Sequence, residues 1–226
     1  MPILRGTPST IAGVLGGRGY RFIQQWLLRD NFTTDLAAGS VNGSSAEPGP
    51  GTRTVTDTEN KLSISGGAAV FAGGKASPAW GDPGLWYGAQ TRTAGLAFVA
   101  EHVSPPGPSK YTGLGWSAAQ SGTPSNGVGL QITEDVIFLF PAINLQSISA
   151  ATTYKYTVIL RSTGSAVLVY LDGRWTLLWV GSSGTTTSLY PAAPIYNGAP
   201  LVNYIKVAQL SWLPVPETSD SFSVDS

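Results

Sequence analysis

The stretch from Thr153 to Val180 constrains the fold more than any other part of the sequence. Three runs rich in β-branched and aromatic residues are separated there by Thr163-Gly164 and Asp172-Gly173. Asp-Gly between apolar runs favours a two-residue hairpin turn, because a type I′ turn needs positive φ at both central positions. The stretch therefore predicts a three-stranded antiparallel meander.

Short strands and turns continue this pattern on both sides of the meander. The gaps between the runs are too short for the crossover helices that a parallel sheet needs. A chain of 226 residues suits one β-sandwich, since such domains reach roughly 200–250 residues. We therefore predict an all-β fold, an antiparallel two-sheet β-sandwich (jelly roll) with an N-terminal arm and a C-terminal tail. Its other strands are predicted at Asn31–Thr34, Lys61–Ser65, Ala68–Phe71, Leu85–Thr91, Leu96–His102, Leu114–Ala119, Gly127–Ile132, Val136–Phe140 and Tyr204–Leu210.

The two ends of the chain carry opposite charge. Residues 1–29 contain four arginines and no acidic residue, whereas residues 214–226 contain three acidic residues and no basic one. We predict an arm (1–29), a jelly-roll domain (30–213) and an acidic tail (214–226), with both ends docked on neighbouring subunits. The apolar residues between Tyr20 and Leu28 fit a short amphipathic helix or an extended strand. The predicted assembly contacts are Arg18, Arg21, Phe22, Trp26, Glu217 and Asp220.

Composition excludes several classes of function. Charged residues make up 12% of the chain and balance to zero net charge, about half the roughly 25% of typical soluble domains. Nucleic-acid binding is not expected, because it requires clustered Lys and Arg. The absence of cysteine excludes disulfides and thiolate metal sites. The first 30 residues lack the apolar core of a secretory signal, and no run approaches the ~20 apolar residues of a membrane span.

Aromatic residues are the strongest candidates for ligand contacts. Exposed rings stack on sugars or on partner proteins, and we predict such contacts at Trp80, Trp86, Tyr87 and Trp116. Trp80 and Trp86 flank a Gly-Asp-Pro-Gly turn, where exposure is favoured. Trp175 and Trp179 lie on one face of the third meander strand in a regular alternation, and we expect them in the core.

The residues that could support catalysis are sparse. His102 is the single histidine, so any Ser-His-Asp triad would depend on it, and we expect it to be structural or at the surface. A glycosidase needs two carboxyl groups about 5–10 Å apart. Glu134 and Asp135 are adjacent and are expected to form a turn before Val136. No catalytic, metal or cofactor residue is predicted.

Three segments carry a resemblance to a known superfamily. Residues Tyr156–Gly173, with the opening Asp30–Thr33 and the closing Tyr204–Val207, resemble the concanavalin A-like lectin/glucanase jelly rolls, which include laminin-G-like domains. This resemblance implies the fold over roughly residues 30–213. Similar domains occur in carbohydrate-binding proteins, glycoside hydrolases, and virion and tail-fibre proteins of bacteriophages. The glucanase members share a Glu-x-Asp-x-Glu strand, which this sequence lacks, and the lectins' calcium-binding loop has no counterpart.

These observations lead to a ranked set of functional predictions. The first is a non-enzymatic structural component of a virion, such as a capsid-decorating, tail or fibre protein. Its partners would be copies of itself and other virion proteins, and it would be made without a signal peptide in the host cytoplasm. The alternative is a carbohydrate-binding receptor-recognition module for cell-surface glycans. The third is a glycoside hydrolase. No enzyme activity, cofactor, nucleic acid or membrane insertion is expected under the first prediction.

Overall fold

The computed structural model describes residues 12–15, 18–72, 78–124, 128–141, 143–162, 164–182, 186–197 and 201–214; for 12–23 and 212–214 it describes the backbone alone. These residues form strands and loops, and none of them lies in a helix. None therefore belongs to a helix long and apolar enough to cross a membrane.

Seventeen strands are present in the described residues. They are β1 (Ala12–Leu15), β2 (Arg18–Asp30), β3 (Thr54–Thr56), β4 (Leu62–Ser65), β5 (Ala68–Phe71), β6 (Gly84–Trp86), β7 (Gln90–Thr91), β8 (Leu96–Val103), β9 (Tyr111–Ser117), β10 (Gly129–Ile132), β11 (Val136–Leu139), β12 (Ile143–Ser147), β13 (Thr153–Leu160), β14 (Gly164–Leu171), β15 (Arg174–Ser182), β16 (Ser188–Tyr196) and β17 (Leu201–Pro214).

The strands form two antiparallel sheets. The larger sheet has the order β1-β2-β17-β8-β13-β14-β15, with β5 also paired to β17 and β4 paired to β5. The smaller sheet has the order β12-β11-β10-β9-β16-β6-β3, with β7 paired to β16. Every pairing between these strands is antiparallel. The predicted all-β sandwich is confirmed.

The core lies between the two sheets and follows the two-residue period of a strand. In β8, Leu96, Phe98 and Ala100 are buried, while Val99 and Glu101 are more exposed on the other face. β9 contributes Leu114 from the opposite sheet. Because side chains alternate between the faces of a strand, each sheet presents one face to the core and one face to the outside.

The meander is confirmed, but one of its faces differs from the prediction. Strands β13, β14 and β15 pair in sequence, and a register shift occurs between Val167 and Leu168. Trp179 lies opposite Val167 and packs against the core, whereas Trp175 lies opposite Tyr170 and is 37% exposed. The expectation that both tryptophans share a buried face is wrong for Trp175, because the irregularity interrupts the simple alternation.

The predicted N-terminal arm is partly a strand of the larger sheet. Strand β2 begins at Arg18 and pairs with β17 from Tyr20 to Asp30. Leu28 is buried in the core cluster. Of the two conformations considered for residues 20–28, the extended strand is correct. The pairing of β2 with β17 reaches back to Tyr20, so this part of the predicted arm belongs to the larger sheet. The domain boundaries themselves stay a prediction.

The segment predicted to begin the sandwich at Asn31–Thr34 is a loop, and a buried ion pair holds it. Arg53 Nε lies 2.7 Å from Asp30 Oδ2, and Arg53 Nη2 lies 2.7 Å from Asp30 Oδ1. The backbone N–H of Phe32 and the hydroxyl of Tyr87 donate to the same carboxylate. Both charged side chains are essentially inaccessible to solvent. The network ties the long loop after Asp30 to the core.

The sequence pattern misses four strands, β1, β3, β12 and β16, of which β16 is central to the smaller sheet. Strand β16 contains Pro191 and Pro194. Proline is ordinarily excluded from central strands because it has no N–H to donate. Here the strand is retained because its carbonyls remain acceptors: Tyr87 N–H donates to Pro191 O at 3.1 Å.

Candidate functional site

The outer face of the smaller sheet is built without charge. None of its described strands contains Asp, Glu, Lys, Arg or His. The outward positions of β9 and β16 instead hold glycine, alanine, proline and tyrosine. A ligand on this face can be held by ring stacking and neutral hydrogen bonds, because these strands supply no ionic contact.

Three aromatic side chains gather at one end of this face. Tyr111 of β9 lies directly opposite Tyr196 of β16, with ring centroids 5.6 Å apart and planes inclined by 28°. Trp80 lies 6.1 Å from Tyr111 at 19° and 5.8 Å from Tyr196 at 39°. All three side chains are partly exposed. We call these three residues the aromatic cluster.

Backbone hydrogen bonds position Trp80 over the sheet. The N–H of Gly81 donates to Ile195 O at 3.0 Å, and the N–H of Ile195 donates to Pro83 O at 3.0 Å. Gly81 has a φ of +74°, a conformation that glycine adopts without strain. The turn is thereby fixed to β16, and the indole at its start is held beside Tyr196.

Trp86 is buried, so its predicted role as a ligand contact is wrong. Its exposed fraction is 0%. Gly81 and Gly84 leave the space that its ring occupies, since a Cβ on Gly84 would lie 2.1 Å from Trp86 Cη2. Its ring therefore fills the space beneath the turn that presents Trp80. The sequence places the two tryptophans symmetrically around the turn, and only the packing distinguishes them.

Tyr87 and Trp116 are also buried, and the structure contradicts their predicted contact roles. Tyr87 is 1% exposed and donates its hydroxyl to Asp30. Burial, followed by the nearby Asp30 carboxylate, raises the pKa of Tyr87 well above its usual value. Trp116 is 0% exposed, and its indole N–H donates to Val158 O at 3.2 Å. Of the four predicted aromatic contacts, Trp80 alone presents its ring at the surface.

A loop covers the middle of β9. A Cβ on Gly113 would lie 2.6 Å from Pro194 Cγ and 2.7 Å from Pro124 Cγ, which places Pro124 against the outer side of this strand. Beside the loop is a cleft of about 520 Å³. Small and polar side chains dominate its lining, which includes Ser117, Ser121, Thr123, Thr186, Leu189 and Arg92.

The carboxylates around this face lie in loops. Asp82 lies within the turn that follows Trp80, and it accepts hydrogen bonds from the backbone N–H and the hydroxyl of Thr58 at 2.9 and 2.6 Å. Asp135 belongs to the predicted turn before Val136, which the Thr133 N–H to Val136 O bond confirms. Within the described residues, no group of three Asp, Glu, His or Cys side chains is placed to hold a metal ion.

His102 is a buried structural residue and lies far from solvent. Its exposed fraction is 0%, and neither ring nitrogen has a hydrogen-bond partner. The ring packs edge-on against Tyr156 with centroids 5.5 Å apart. Burial lowers the pKa of His102 to about 3. His102 is therefore neutral in the folded protein. It was expected to be either structural or at the surface, and the structure shows that it is structural.

The predicted assembly contacts lie mainly outside the described side chains. Arg18, Arg21 and Phe22 belong to β2, where only the backbone is described, and Glu217 and Asp220 lie outside the described residues. Trp26 is half-buried, with the Arg29 guanidinium 5.9 Å from its ring centroid. An assembly role for these residues stays a prediction.

Solved structures share the fold. No protein-family model matches the sequence, and no curated protein matches it. The β-agarase B of Zobellia galactanivorans superposes with a TM-score of 0.53 at 9% identity, over 84% of this chain and 95% of the agarase. A structure from work on endo-acting O-glycanases of the human gut microbiota superposes with a TM-score of 0.52 at 8% identity, over 83% of this chain and 100% of that one. A glycosyl hydrolase family protein from Mycobacterium fortuitum gives a TM-score of 0.50 at 12% identity, over 81% and 99%.

These similarities correct two of the functional predictions. The chain was expected to be a non-enzymatic component of a virion, and the neighbours are instead carbohydrate-active enzymes. Both the virion assignment and the exclusion of enzyme activity are therefore wrong, and nothing in the comparisons supports a bacteriophage context. The predicted virion location and virion partners stay untested predictions. The chain has the concanavalin A-like lectin/glucanase jelly-roll fold.

Proposed function

We propose that this chain is a carbohydrate-active protein that holds a neutral glycan on the outer face of its smaller sheet. The single observation that carries the proposal is the aromatic cluster of Trp80, Tyr111 and Tyr196, which lies on a face whose strands bear no charge. Sugar rings present C–H groups that stack on aromatic faces, while the absence of charged strand residues disfavours an ionic ligand. The folds it resembles include an agarase and an O-glycanase.

The test measures binding to a panel of neutral polysaccharides, including agarose and β-1,3-glucan, by affinity electrophoresis. We expect retardation by at least one of them, and Trp80→Ala should weaken binding roughly tenfold because it removes one of the three rings of the cluster. Trp80→Phe should retain most of the binding because it keeps a ring.

Ile143→Ala is the control. Ile143 is 48% exposed and belongs to β12 at the edge of the same sheet, so this substitution removes an exposed apolar side chain without touching the cluster. Equal weakening by Trp80→Ala and Ile143→Ala, or an absence of binding across the panel, would contradict the proposal.

Hydrolysis of the bound glycan is a second candidate, favoured by the glycosyl hydrolase and agarase that share the fold. A glycosidase requires two carboxyl groups flanking the scissile bond. The strands of the smaller sheet provide none, so any acid must come from loops. Asp82 is the carboxylate beside the Trp80 turn.

Release of reducing ends from the same polysaccharides tests this candidate. If Asp82 participates, Asp82→Asn should abolish hydrolysis while retaining glycan binding. Asp35→Asn is the control, because Asp35 also accepts a backbone N–H in an exposed loop, from Gly66 at 3.0 Å. Hydrolysis that survives Asp82→Asn unchanged would remove Asp82 from the reaction, and binding without hydrolysis would leave recognition as the function.

A further inference from the structure

A row of polar and aromatic side chains crosses the outer face of the larger sheet. Tyr204 of β17 pairs with Glu101 of β8, which pairs with Lys155 of β13; Lys155 pairs with Tyr170 of β14, and Tyr170 pairs with Trp175 of β15. The residues next to them along their strands, Ala100, Tyr156, Val169 and Ile205, are buried in the core. By the alternation of a strand, Tyr204, Glu101, Lys155 and Tyr170 face outward. Trp175 lies directly opposite Tyr170 and its ring contacts that of Tyr170, so it faces outward as well.

The row follows the ladder of the sheet, with one member on each of five neighbouring strands. Neighbouring strands lie about 4.8 Å apart, so five strands spread the row over about 19 Å. Tyr170 and Trp175 end it with an edge-to-face pair whose centroids are 5.5 Å apart, and each ring is 37% exposed. A linear ligand can contact several of these side chains at once.

Positive charge dominates the row and its immediate neighbours. Lys206 follows Tyr204 by two positions on the same face and lies opposite Arg29 of β2, which gives three cations with Lys155. One carboxylate, Glu101, opposes them. Both of its oxygens are already engaged, by Lys155 Nζ at 3.4 Å and by Asn203 Nδ2 at 2.9 Å.

Each of these cations lies near an aromatic ring. Arg29 is 5.9 Å from the Trp26 ring, Lys155 is 5.5 Å from that of Tyr170, and Lys206 is 4.1 Å from that of Tyr204. Burial, and then the nearby Arg29, lowers the pKa of Lys206. The cations thus crowd one another without full compensation, which is the electrostatic condition for attracting an anion.

We propose that this face is a second binding site, one that takes an acidic polysaccharide bearing carboxylate or sulfate groups. The three cations contact the anionic groups, and the exposed rings of Tyr170 and Trp175 stack against sugar rings at the end of the row. The site lies on the opposite side of the sandwich from the aromatic cluster, and it does not depend on the function proposed for that cluster. Charge complementarity selects this occupant over a neutral glycan.

The full-length chain is titrated with polygalacturonate, dextran sulfate, neutral dextran and poly-glutamate at several salt concentrations. We expect binding to one or both acidic polysaccharides, with the first two probes separating carboxylate from sulfate recognition, and none to dextran. The Lys155→Gln/Lys206→Gln double variant should weaken binding roughly tenfold and lower the salt slope by about one per lysine, as for other linear polyanions.

The control for charge is Lys61→Gln/Lys110→Gln, which removes two positive charges at loop positions immediately before β4 and β9. It should leave binding within about twofold of the parent. Trp175→Ala should weaken binding roughly fivefold, and Trp175→Phe should restore most of it. If Trp175→Ala lowers the melting temperature markedly, its weaker binding could reflect partial unfolding. The proposal is then tested by the Lys155→Gln/Lys206→Gln variant and its salt slope.

Three results would overturn the proposal. If poly-glutamate binds as tightly as the acidic polysaccharides, the face is a general polyanion patch. If the two double-lysine variants lose equal affinity, the location of Lys155 and Lys206 on this face does not matter for binding. A dimer in light scattering that Trp175→Ala dissociates would show that a second copy covers the face, including the neighbouring exposed Leu177 and Val180.

Discussion

The two sheets of this sandwich pack against one core and differ in where they hold charge. The described strands of the smaller sheet contain no Asp, Glu, Lys, Arg or His. The larger sheet carries Arg29, Glu101, Lys155 and Lys206 on its outer face and Asp30 and His102 on its inner face. Among the described strands, the charged residues therefore all belong to the larger sheet.

This difference separates the ligands that each face can bind. Stacking on the aromatic cluster suits a neutral ring, whereas the lysines and arginine of the larger sheet suit an anionic chain. It also restricts catalysis, because two carboxyl groups are required for glycoside hydrolysis and the strands of the smaller sheet provide neither. The low overall charge of the chain therefore does not reveal that its two outer faces differ in chemistry.

The largest expected effect comes from the charge on the inner side of the larger sheet. Asp30→Asn leaves Arg53 buried without its counterion, which should cost about 3–5 kcal/mol of unfolding free energy, measured by urea denaturation. Glu59→Gln is the control, because its ion pair with Lys61 is partly exposed and 3.9 Å long, so the expected loss is below about 1 kcal/mol. Similar losses in the two variants would refute the distinction between buried and surface charge.

His102 should make the larger sheet sensitive to acid. Burial lowers its pKa from 6.5 to about 3, so the unfolded chain binds a proton that the folded chain rejects. Stability should therefore fall by about 1.4 kcal/mol per pH unit from this group as pH drops below 6.5 toward 3. Above pH 7 the contribution is constant.

The measurement compares the native chain with His102→Leu by urea denaturation at pH 7.5, 5.5 and 4.5. Other acidic groups titrate equally in both proteins, so the difference between their unfolding free energies isolates His102. The variant should gain stability relative to the native chain as the pH falls. Parallel pH curves would show that His102 is hydrated or protonated in the folded state.

A smaller effect is expected on the uncharged sheet, where the covering loop packs against β9 and is also held by the Ser117 hydroxyl, which donates to Thr123 O at 3.3 Å. Gly113→Ala places a Cβ 2.6–2.7 Å from the rings of Pro194 and Pro124, and such overpacking costs about 1–3 kcal/mol. Gly107→Ala is the matched control, since nothing lies within 4 Å of its Cβ position. Equal melting temperatures for the two variants would mean that the loop does not rest on β9.

Regular local patterns predicted much of the fold. The alternation in Lys61–Ser65 and the Asp-Gly turn at residue 172 identified β4 and the meander, because strand period and turn geometry are local properties. Strand β16 was missed because its prolines argue against a central strand. In the sheet, β16 lies between β9 and β6. These pairings are long-range, so a local sequence pattern does not describe them.

The site was less predictable than the fold. Trp80 and Trp86 flank one turn and look equivalent in sequence, yet one is partly exposed and the other fully buried. Tyr111 and Tyr196 were not predicted as contacts. Their partnership depends on the register between β9 and β16, which joins positions 85 residues apart.

The sequence by itself determined an all-β chain with little charge, no cysteine and a single histidine, because composition, strand period and turn chemistry can be recognised residue by residue. The tertiary structure alone decided which tryptophans reach solvent, how charge divides between the sheets, and that Tyr204, Glu101, Lys155, Tyr170 and Trp175 form one row. The physical reason is that strand register and sheet order bring together residues that are distant along the chain, and these long-range pairings are absent from any local pattern.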